Sequence, residues 1–242
     1  MRTLLGAISF LTILPVRAKV ATPGRSAALF PLVGAMLGAI GAGIYLASLK
    51  AIPASLAALL TVACWTVITG ILHEDGLADV ADAMRAGRSQ EKMLAILKDS
   101  RLGTFGTVAI VLSFIARWQA IEQLADARVV QIFIAAQAVP RAAMVALAWI
   151  SRPSGEGLGL AFSSTLTTPA ALIAIAQGVA AAFLCGPRPG IVIVAFSYAV
   201  IRVARWYFYR RIGGVNGDCL GATEQILEIF ILVLFTCRAC SW

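Results

Sequence analysis

Seven apolar stretches, each close to the length of a membrane-crossing helix, constrain this chain more than any other feature. A helix needs about 20 mostly apolar residues to span the hydrocarbon core of a bilayer. The seven stretches are Ala27–Leu49, Ala54–Leu72, Thr104–Ile121, Val129–Ile150, Thr168–Cys185, Gly190–Tyr207 and Gln225–Trp242. We therefore expect an all-α, polytopic integral membrane helix bundle with about seven spanning segments, forming a single transmembrane domain over residues 1–242.

The composition excludes an ordinary soluble domain. Of the 242 residues, 60% are hydrophobic and only 13% are charged, whereas soluble domains carry about 25% charged residues. The net charge of +8 does not indicate nucleic-acid binding, because the basic residues lie at the ends of apolar runs instead of clustering on one polar face. We expect membrane lipid as the surroundings and no nucleic-acid partner.

The basic residues also predict an orientation. Most Lys and Arg residues lie in alternate connections, starting with the N-terminal one, which places the N-terminus in the cytoplasm and the C-terminus outside. The N-terminal stretch has Pro15 after its apolar part and no clear cleavage site, so we interpret it as a retained interfacial or re-entrant segment. On this topology every acidic residue except Glu122 and Asp126 falls on or near the cytoplasmic side.

The first acidic motif is the stretch His73–Asp82. If it is helical, Asp75, Asp79 and Asp82 lie within an arc of about 60° on one face. Like charges stacked in this way repel, and a bound divalent cation reverses that cost; oxygen ligands suit Mg²⁺ or Mn²⁺. The alternative is a solvated acidic face of a loop helix. Glu74 points away from this face.

His73 is the only histidine of the chain. It could orient a carboxylate or act as an acid or base near neutral pH. The alternative is an interfacial histidine with a satisfied hydrogen bond.

The second motif, Lys98–Gly106, precedes a predicted spanning helix. Thr104 is a candidate N-cap, and free N–H groups at the helix start could bind an anion. Lys98 and Arg101 would add positive charge, which predicts a phosphate-binding loop. The alternative is a capped helix start with snorkelling basic side chains.

The third motif is Gly213–Glu224, whose glycines predict a tight loop before Asp218. Glu224 and Glu228 share one face at the inner end of the last helix, and ionisable groups at membrane depth are functional candidates. The alternatives are a turn aspartate and an interfacial charged helix end.

Arg141 lies in the middle of an apolar segment, directly after Pro140. An arginine in lipid must find a partner, either a phosphate or a carboxylate. A structural pair with another helix is the alternative.

Carboxylates and anion-binding groups on one side of a membrane predict metal-assisted phosphoryl transfer, in which a carboxylate can deprotonate the attacking hydroxyl. Cys237 and Cys240 form a single CxxC, a weak metal or redox signal, and the pattern fits two small apolar residues at a helix end better. We leave their role open.

The three motifs, LHEDGLADVADAM, KDSRLGTFG and NGDCLGATEQILE in this order, closely resemble those of the cobalamin (5′-phosphate) synthases, the adenosylcobinamide-GDP ribazoletransferases. FLTILPV at Phe10–Val16 and FPLVG at Phe30–Gly34 are similar to N-terminal signatures of the same family. The chain departs from the family in having Gln225 where a glutamate is usual, with Glu224 beside it.

This resemblance implies a reaction and a setting. Ribazole or its 5′-phosphate attacks the phosphoryl group attached to the aminopropanol arm of adenosylcobinamide-GDP, and GMP leaves. The family uses Mg²⁺ and lies in the bacterial inner membrane as a multi-pass protein. We expect the active site to face the cytoplasm and to lie mainly in loop 73–103.

Motif positions and residue chemistry together give the predicted site. We expect catalytic roles for His73, Asp75, Asp79 and Asp82, and substrate binding by Lys98, Ser100, Arg101, Arg141 and Asp218. The predicted metal ligands are Glu74, Asp75, Asp79, Asp82, Asp99, Asp218, Glu224 and Glu228.

Two other functions fit parts of the pattern. A CDP-alcohol phosphotransferase also joins a DG pair to spaced aspartates, but Leu72 stands where its motif needs an acid. An ion-coupled transporter would place ionisable groups near the bilayer centre, whereas here they gather at helix ends on one side. The sequence leaves the oligomeric state open.

Overall fold

The computed structural model describes residues 1–16, 21–87, 89–99, 101–124, 128–154 and 158–237. Within these ranges the fold is helical and contains no β-strand. The helices are α1 Arg2–Leu11, α2 Pro23–Ser26, α3 Phe30–Ser48, α4 Ala54–Thr69, α5 Leu72–Ala86, α6 Gln90–Ile96, α7 Thr104–Glu122, α8 Val129–Trp149, α9 Leu158–Thr165, α10 Thr168–Phe183, α11 Pro187–Ile212 and α12 Gly217–Leu234.

Length and composition allow several of these helices to cross a membrane. Four are long and apolar enough, namely the continuous segment Pro23–Ser48 and helices α7, α8 and α11. Two bent pairs, α4 with α5 at 87° and α9 with α10 at 105°, bring the total to six if each pair is one span. The prediction of an all-α membrane bundle is confirmed, with a number of spans compatible with the approximate figure.

Helix α12 corrects the last predicted segment. Gln225–Trp242 was expected to be a span, but the helix begins at Gly217 and ends at Leu234. Residues 238–242, including Cys240, lie outside the described part of the chain. Asp218, Glu224 and Glu228 are therefore all inside one helix, with Asp218 in its first turn.

Helix α8 forms the centre of the bundle and is buried along most of its length. It packs against α3, α10 and α12. Gly34 and Gly38 of α3 lie directly on the backbone of α8, where a Cβ would overlap Gln137 and Phe133. Small residues that let helix backbones touch are the usual means of packing in lipid.

The turn between α4 and α5 sets the direction of the helix that carries the first acidic motif. Gly70 and Ile71 both have left-handed backbones, with φ of +63° and +64°. This conformation is rare for a β-branched residue such as Ile71 and costs on the order of 1–3 kcal/mol. The two residues redirect the chain by 87°, so that α5 starts with His73, Glu74 and Asp75 in its first turns.

Helix α1 is a short apolar helix that packs against α2 and α3. Its ten residues are too few to span a bilayer as a helix. The interpretation of this segment as interfacial stays a prediction, and residues 17–20 lie outside the described part.

Candidate active site

Two glycines let α5 and α12 approach until their backbones touch. A Cβ on Gly76 would lie 2.9 Å from the carbonyl oxygen and 3.0 Å from the Cα of Asp218. A Cβ on Gly221 would lie 3.3 Å from the Cα of His73. The first and third motifs, which are far apart in sequence, thus meet along one helix contact.

A cavity of about 230 Å³ opens beside this contact. Its polar lining consists of His73, Asp75, Asn216 and Asp218, and its apolar lining includes three phenylalanines. Asp75 is exposed and Asp218 is half-buried. The half-buried Asp79 lies close enough to Asp75 and Asp218 for their charges to repel its own. Asp75 and Asp218 therefore line the cavity, and Asp79 lies beside them.

Asp218 is held in place by the loop before α12. The side-chain amide of Asn216 donates to Asp218 Oδ2 at 2.7 Å, and Asn216 Oδ1 accepts from the Cys219 N–H at 3.0 Å, which caps α12. The loop reverses at Gly213, whose φ is +76°. The tight loop expected from the glycines is confirmed, and an acid at a helix N-terminus is electrostatically favourable.

Loop 152–154 forms backbone hydrogen bonds with the loop that precedes α12. The Val215 N–H donates to the Arg152 carbonyl at 3.0 Å, and the Ser154 N–H donates to the Val215 carbonyl at 2.9 Å. This pairing ties the beginning of the stretch Arg152–Gly159, which reads RPSGEGLG, to the Asp218 loop. Residues 155–157 of that stretch lie outside the described part of the chain.

Asp82 connects the first motif to the second, and this corrects two expectations. Its carboxylate accepts the Gly103 N–H at 2.8 Å and the Gly106 N–H at 2.9 Å at the start of α7. The N-cap position belongs to Gly103 and not to Thr104. Two of the N–H groups expected to bind a phosphate are therefore satisfied from within the chain. Each Asp82 oxygen accepts one of these hydrogen bonds, which tie α5 to the start of α7, and the metal and catalytic roles of Asp82 stay predictions.

Asp99 and Arg101 pair with each other at the surface. The Arg101 guanidinium donates to Asp99 at 2.6 and 3.0 Å, and the Arg101 N–H donates to it at 3.1 Å. These hydrogen bonds hold the pKa of the Asp99 carboxyl below its usual value. In the structure Asp99 is engaged in this exposed ion pair, and its role as a metal ligand stays a prediction. Lys98 and Arg101 are exposed, and Ser100 lies outside the described residues.

The remaining predicted acids form a buried ion-pair network with two arginines. Arg117 on α7 donates to Glu74 on α5 at 3.0 Å and to Glu228 on α12 at 3.4 Å. Arg141 on α8 pairs with Glu224 and lies 3.9 Å from Glu228. All five side chains are at most 2% exposed. A charge removed from water needs a partner of opposite sign, and these residues supply one another.

This network is where the structure places Glu74, Glu224, Glu228 and Arg141, and their predicted metal-binding and substrate-binding roles stay predictions. Each of the three carboxylates has at least one arginine partner, and Arg141 forms a structural pair with another helix. Gln225, the departure from the family pattern, accepts from Ser113 at 2.8 Å and donates to Glu224 at 3.0 Å. Gln225 therefore links Ser113 on α7 to Glu224, a member of the ion-pair network.

His73 lies between the network and the cavity. Its Nδ1 is 3.3 Å from Arg141 Nη2 and 3.4 Å from Glu224 Oε2, so either tautomer finds a partner there. Its Nε2 is buried and has no hydrogen-bond partner in the described part of the chain. Because His73 lines the cavity, this ring nitrogen can donate a hydrogen bond to a ligand or accept one from it, according to the tautomer.

The described part of the chain contains no metal site made of protein ligands alone. Among the described residues no three His, Cys, Asp or Glu side chains are grouped to hold an ion. This does not conflict with Mg²⁺, which keeps several waters and is usually bound by one or two carboxylates together with substrate phosphates. The oxygen donors of Asp75 and Asp218, which line one cavity, fit that mode of binding.

Comparisons with known proteins identify the family. The family model described as cobalamin-5-phosphate synthase matches residues 3–236. The chain belongs to this family. Proteins named adenosylcobinamide-GDP ribazoletransferase are similar over most of their length: that of Bradyrhizobium diazoefficiens is 39% identical over 94% of this chain and 90% of its own. That of Ralstonia pickettii is 36% identical over 93% and 91%, and that of Clostridium novyi is 31% identical over 100% and 99%. No solved structure matches the chain.

Membership of the cobalamin-5-phosphate synthase family confirms the prediction of a transferase of cobalamin biosynthesis. It also favours this function over a CDP-alcohol phosphotransferase or a transporter. The sequence favoured a snorkelling or structural role for Arg117, and the structure shows the structural one. Sequence reasoning missed the capping role of Asn216. It also missed the phenylalanines of the cavity, although Phe10 and Phe30 open the two N-terminal family signatures.

The close approach at Gly76 gives a prediction for this family member. Gly76→Ala is expected to lower kcat by about 10- to 100-fold, because the added methyl group pushes α5 away from Asp218 and misplaces the carboxylates. The matched control is Gly43→Ala in α3, where a Cβ meets nothing within 4 Å. Steady-state kinetics of both variants check this, and equal rates would show that the helix contact does not set the site geometry.

Proposed function

We propose that the chain joins adenosylcobinamide-GDP to α-ribazole or its 5′-phosphate, with release of GMP, in the cavity between α5 and α12. The observation that carries this proposal is that Asp75 and Asp218 line one cavity, with Asp79 next to them, in a chain whose relatives are named for this transfer. We further propose that the reaction depends on Mg²⁺, takes place in the bacterial inner membrane and occurs on its cytoplasmic side.

The chain contributes carboxylates that would hold the ion and the diphosphate together. Asp75 and Asp218 would be its protein ligands, and Asp79 is close enough to supply a third oxygen or a water-mediated contact. When bound, Mg²⁺ would neutralise the diphosphate and stabilise the leaving phosphate of GMP. The exposed Lys98 and Arg101 lie on the connection before α7, where they could attract the anionic substrate.

The transfer requires one bond to form and one to break. A ribose hydroxyl oxygen of the acceptor forms a bond to the phosphorus on the aminopropanol arm, and the bond from that phosphorus to the oxygen of GMP breaks. The hydroxyl proton has two acceptors at hand in the chain, the carboxylate of Asp79 and Nε2 of His73. Burial of the Glu74, Glu224 and Glu228 network keeps the helices that carry these groups in register.

The test is an assay of GMP release in inside-out membrane vesicles that contain the protein. Adenosylcobinamide-GDP and α-ribazole are supplied with Mg²⁺, with EDTA, and with EDTA followed by excess Mg²⁺. We expect GMP release only when both substrates and Mg²⁺ are present, with recovery after Mg²⁺ is restored. Release that continues unchanged in EDTA would contradict the proposed metal dependence.

A further inference from the structure

Three phenylalanines from separate helices form one wall of the cavity. Phe10 of α1, Phe30 of α3 and Phe162 of α9 have ring centroids 5.2, 5.5 and 5.8 Å apart. The Phe30 ring is nearly parallel to both others, at 23° to Phe10 and 15° to Phe162. Phe30 and Phe162 are fully buried, whereas Phe10 is half-buried. We call these three residues the aromatic wall.

The position of the aromatic wall relative to the carboxylates is informative. The same cavity is lined by the aromatic wall and by Asp75, Asp218 and His73. The other apolar residues that line it are Leu72, Met144 and Leu220. A ligand that fills this cavity therefore has an aromatic, apolar part and a polar part next to it.

We propose, as an extension of the proposed function on which it rests, that the aromatic wall binds the base of the ribazole acceptor. That base is a dimethylated benzimidazole, an uncharged bicyclic aromatic ring with few polar atoms. Stacking on aromatic side chains requires no hydrogen bonds along the edge of the base. With the base against the aromatic wall, the ribose lies toward Asp75, Asp218 and His73, where its hydroxyl must react.

The other substrate fits this wall less well. Its corrinoid is far larger than a cavity of about 230 Å³. Its guanine is aromatic, but it carries several donors and acceptors that lose their water on burial and need new partners. The leucines, methionine and phenylalanines around the wall supply none from their side chains.

The experiment compares Phe10→Leu, which removes the ring but keeps an apolar side chain, with the wild type. The matched control is Phe196→Leu, which removes a half-buried ring stacked on Phe230 outside the cavity. Two quantities are measured for each protein in vesicles: KM for each substrate separately, and equilibrium binding of α-ribazole without adenosylcobinamide-GDP. Phe10→Trp, which keeps an aromatic ring, provides the rescue variant.

We expect Phe10→Leu to weaken α-ribazole binding and raise its KM by about 10-fold, within the range that loss of one base-stacking ring produces. KM for adenosylcobinamide-GDP stays unchanged, Phe10→Trp retains affinity for α-ribazole, and Phe196→Leu behaves as the wild type. Unchanged α-ribazole affinity in Phe10→Leu, or a rise confined to adenosylcobinamide-GDP, would overturn the proposal. Absence of GMP release from the wild type would instead count against the proposed function, since α-ribazole binding is measured without turnover.

Discussion

Asp75→Asn is expected to lower the rate of GMP release by about 100- to 1000-fold, the loss of several kcal/mol of transition-state stabilisation. The substitution keeps the size of the side chain and removes the charge. Asp75 lines the cavity together with Asp218, so its loss leaves one of the two proposed protein ligands. The measurement is kcat with both substrates saturating, at a fixed Mg²⁺ concentration.

Two other substitutions make this result specific. Glu122→Gln removes an acid at the opposite end of α7 from the Asp82 contacts, and it is expected to leave the rate unchanged. Asp99→Asn distinguishes the metal-binding role predicted from the second motif from the position of Asp99 in the structure. There Asp99 is paired with Arg101 at the surface. Its rate is expected to stay within a few-fold of the wild type. Equal rates for Asp75→Asn and Glu122→Gln would remove Asp75 from the mechanism.

Arg117→Met is expected to destabilise the fold by about 3–5 kcal/mol, the usual cost of removing one partner from a buried ion pair. Arg117 is 1% exposed and is the cation nearest to both Glu74 and Glu228. Without it, Glu74 loses its arginine partner, Glu228 keeps only the more distant Arg141, and α5, α7 and α12 lose an ion pair that connects them. The measurement is thermal unfolding of the purified protein in detergent.

A double substitution tests the cause of that loss. Arg117→Met with Glu74→Met removes both members of the closest pair, and it is expected to be more stable than Arg117→Met alone, since Glu228 still has Arg141 at 3.9 Å. The control is Arg202→Met on α11, an exposed arginine whose loss should change stability by less than about 0.5 kcal/mol. An Arg117→Met protein as stable as the control would show that the network does not hold the bundle together.

Hydropathy and motif spacing predicted much of this fold for physical reasons. Apolar runs of helix length fix where α3, α7 and α8 lie, because lipid tolerates little else. Their predicted bounds agree with the structure within a few residues. The start of α12 was misplaced because Asp218 and Glu224 interrupt the apolar pattern, although the helix runs through them. The bend at Ile71 was not predictable, because isoleucine rarely adopts a left-handed backbone.

The site was only partly predictable, because sequence gives the type of a side chain and not its partner. Spacing selected Asp75 and Asp79 correctly as members of one group, and the third motif supplied Asp218. The same reasoning treated Glu74, Glu224 and Glu228 as equivalent acids. Their arginine partners are far away in sequence, and only the packed bundle brings Arg117 and Arg141 to them.

The most direct test of the central claim, that Asp75 and Asp218 hold a divalent cation against a diphosphate, is a Mn²⁺ titration followed by electron paramagnetic resonance. The purified protein is titrated in the presence of adenosylcobinamide-GDP and without the acceptor, alongside an Asp75→Asn/Asp218→Asn variant and a Glu122→Gln variant. We expect wild type and Glu122→Gln to bind Mn²⁺ that excess Mg²⁺ displaces, and the double variant to lose this binding. Equal Mn²⁺ affinity in the double variant and the wild type would contradict the account.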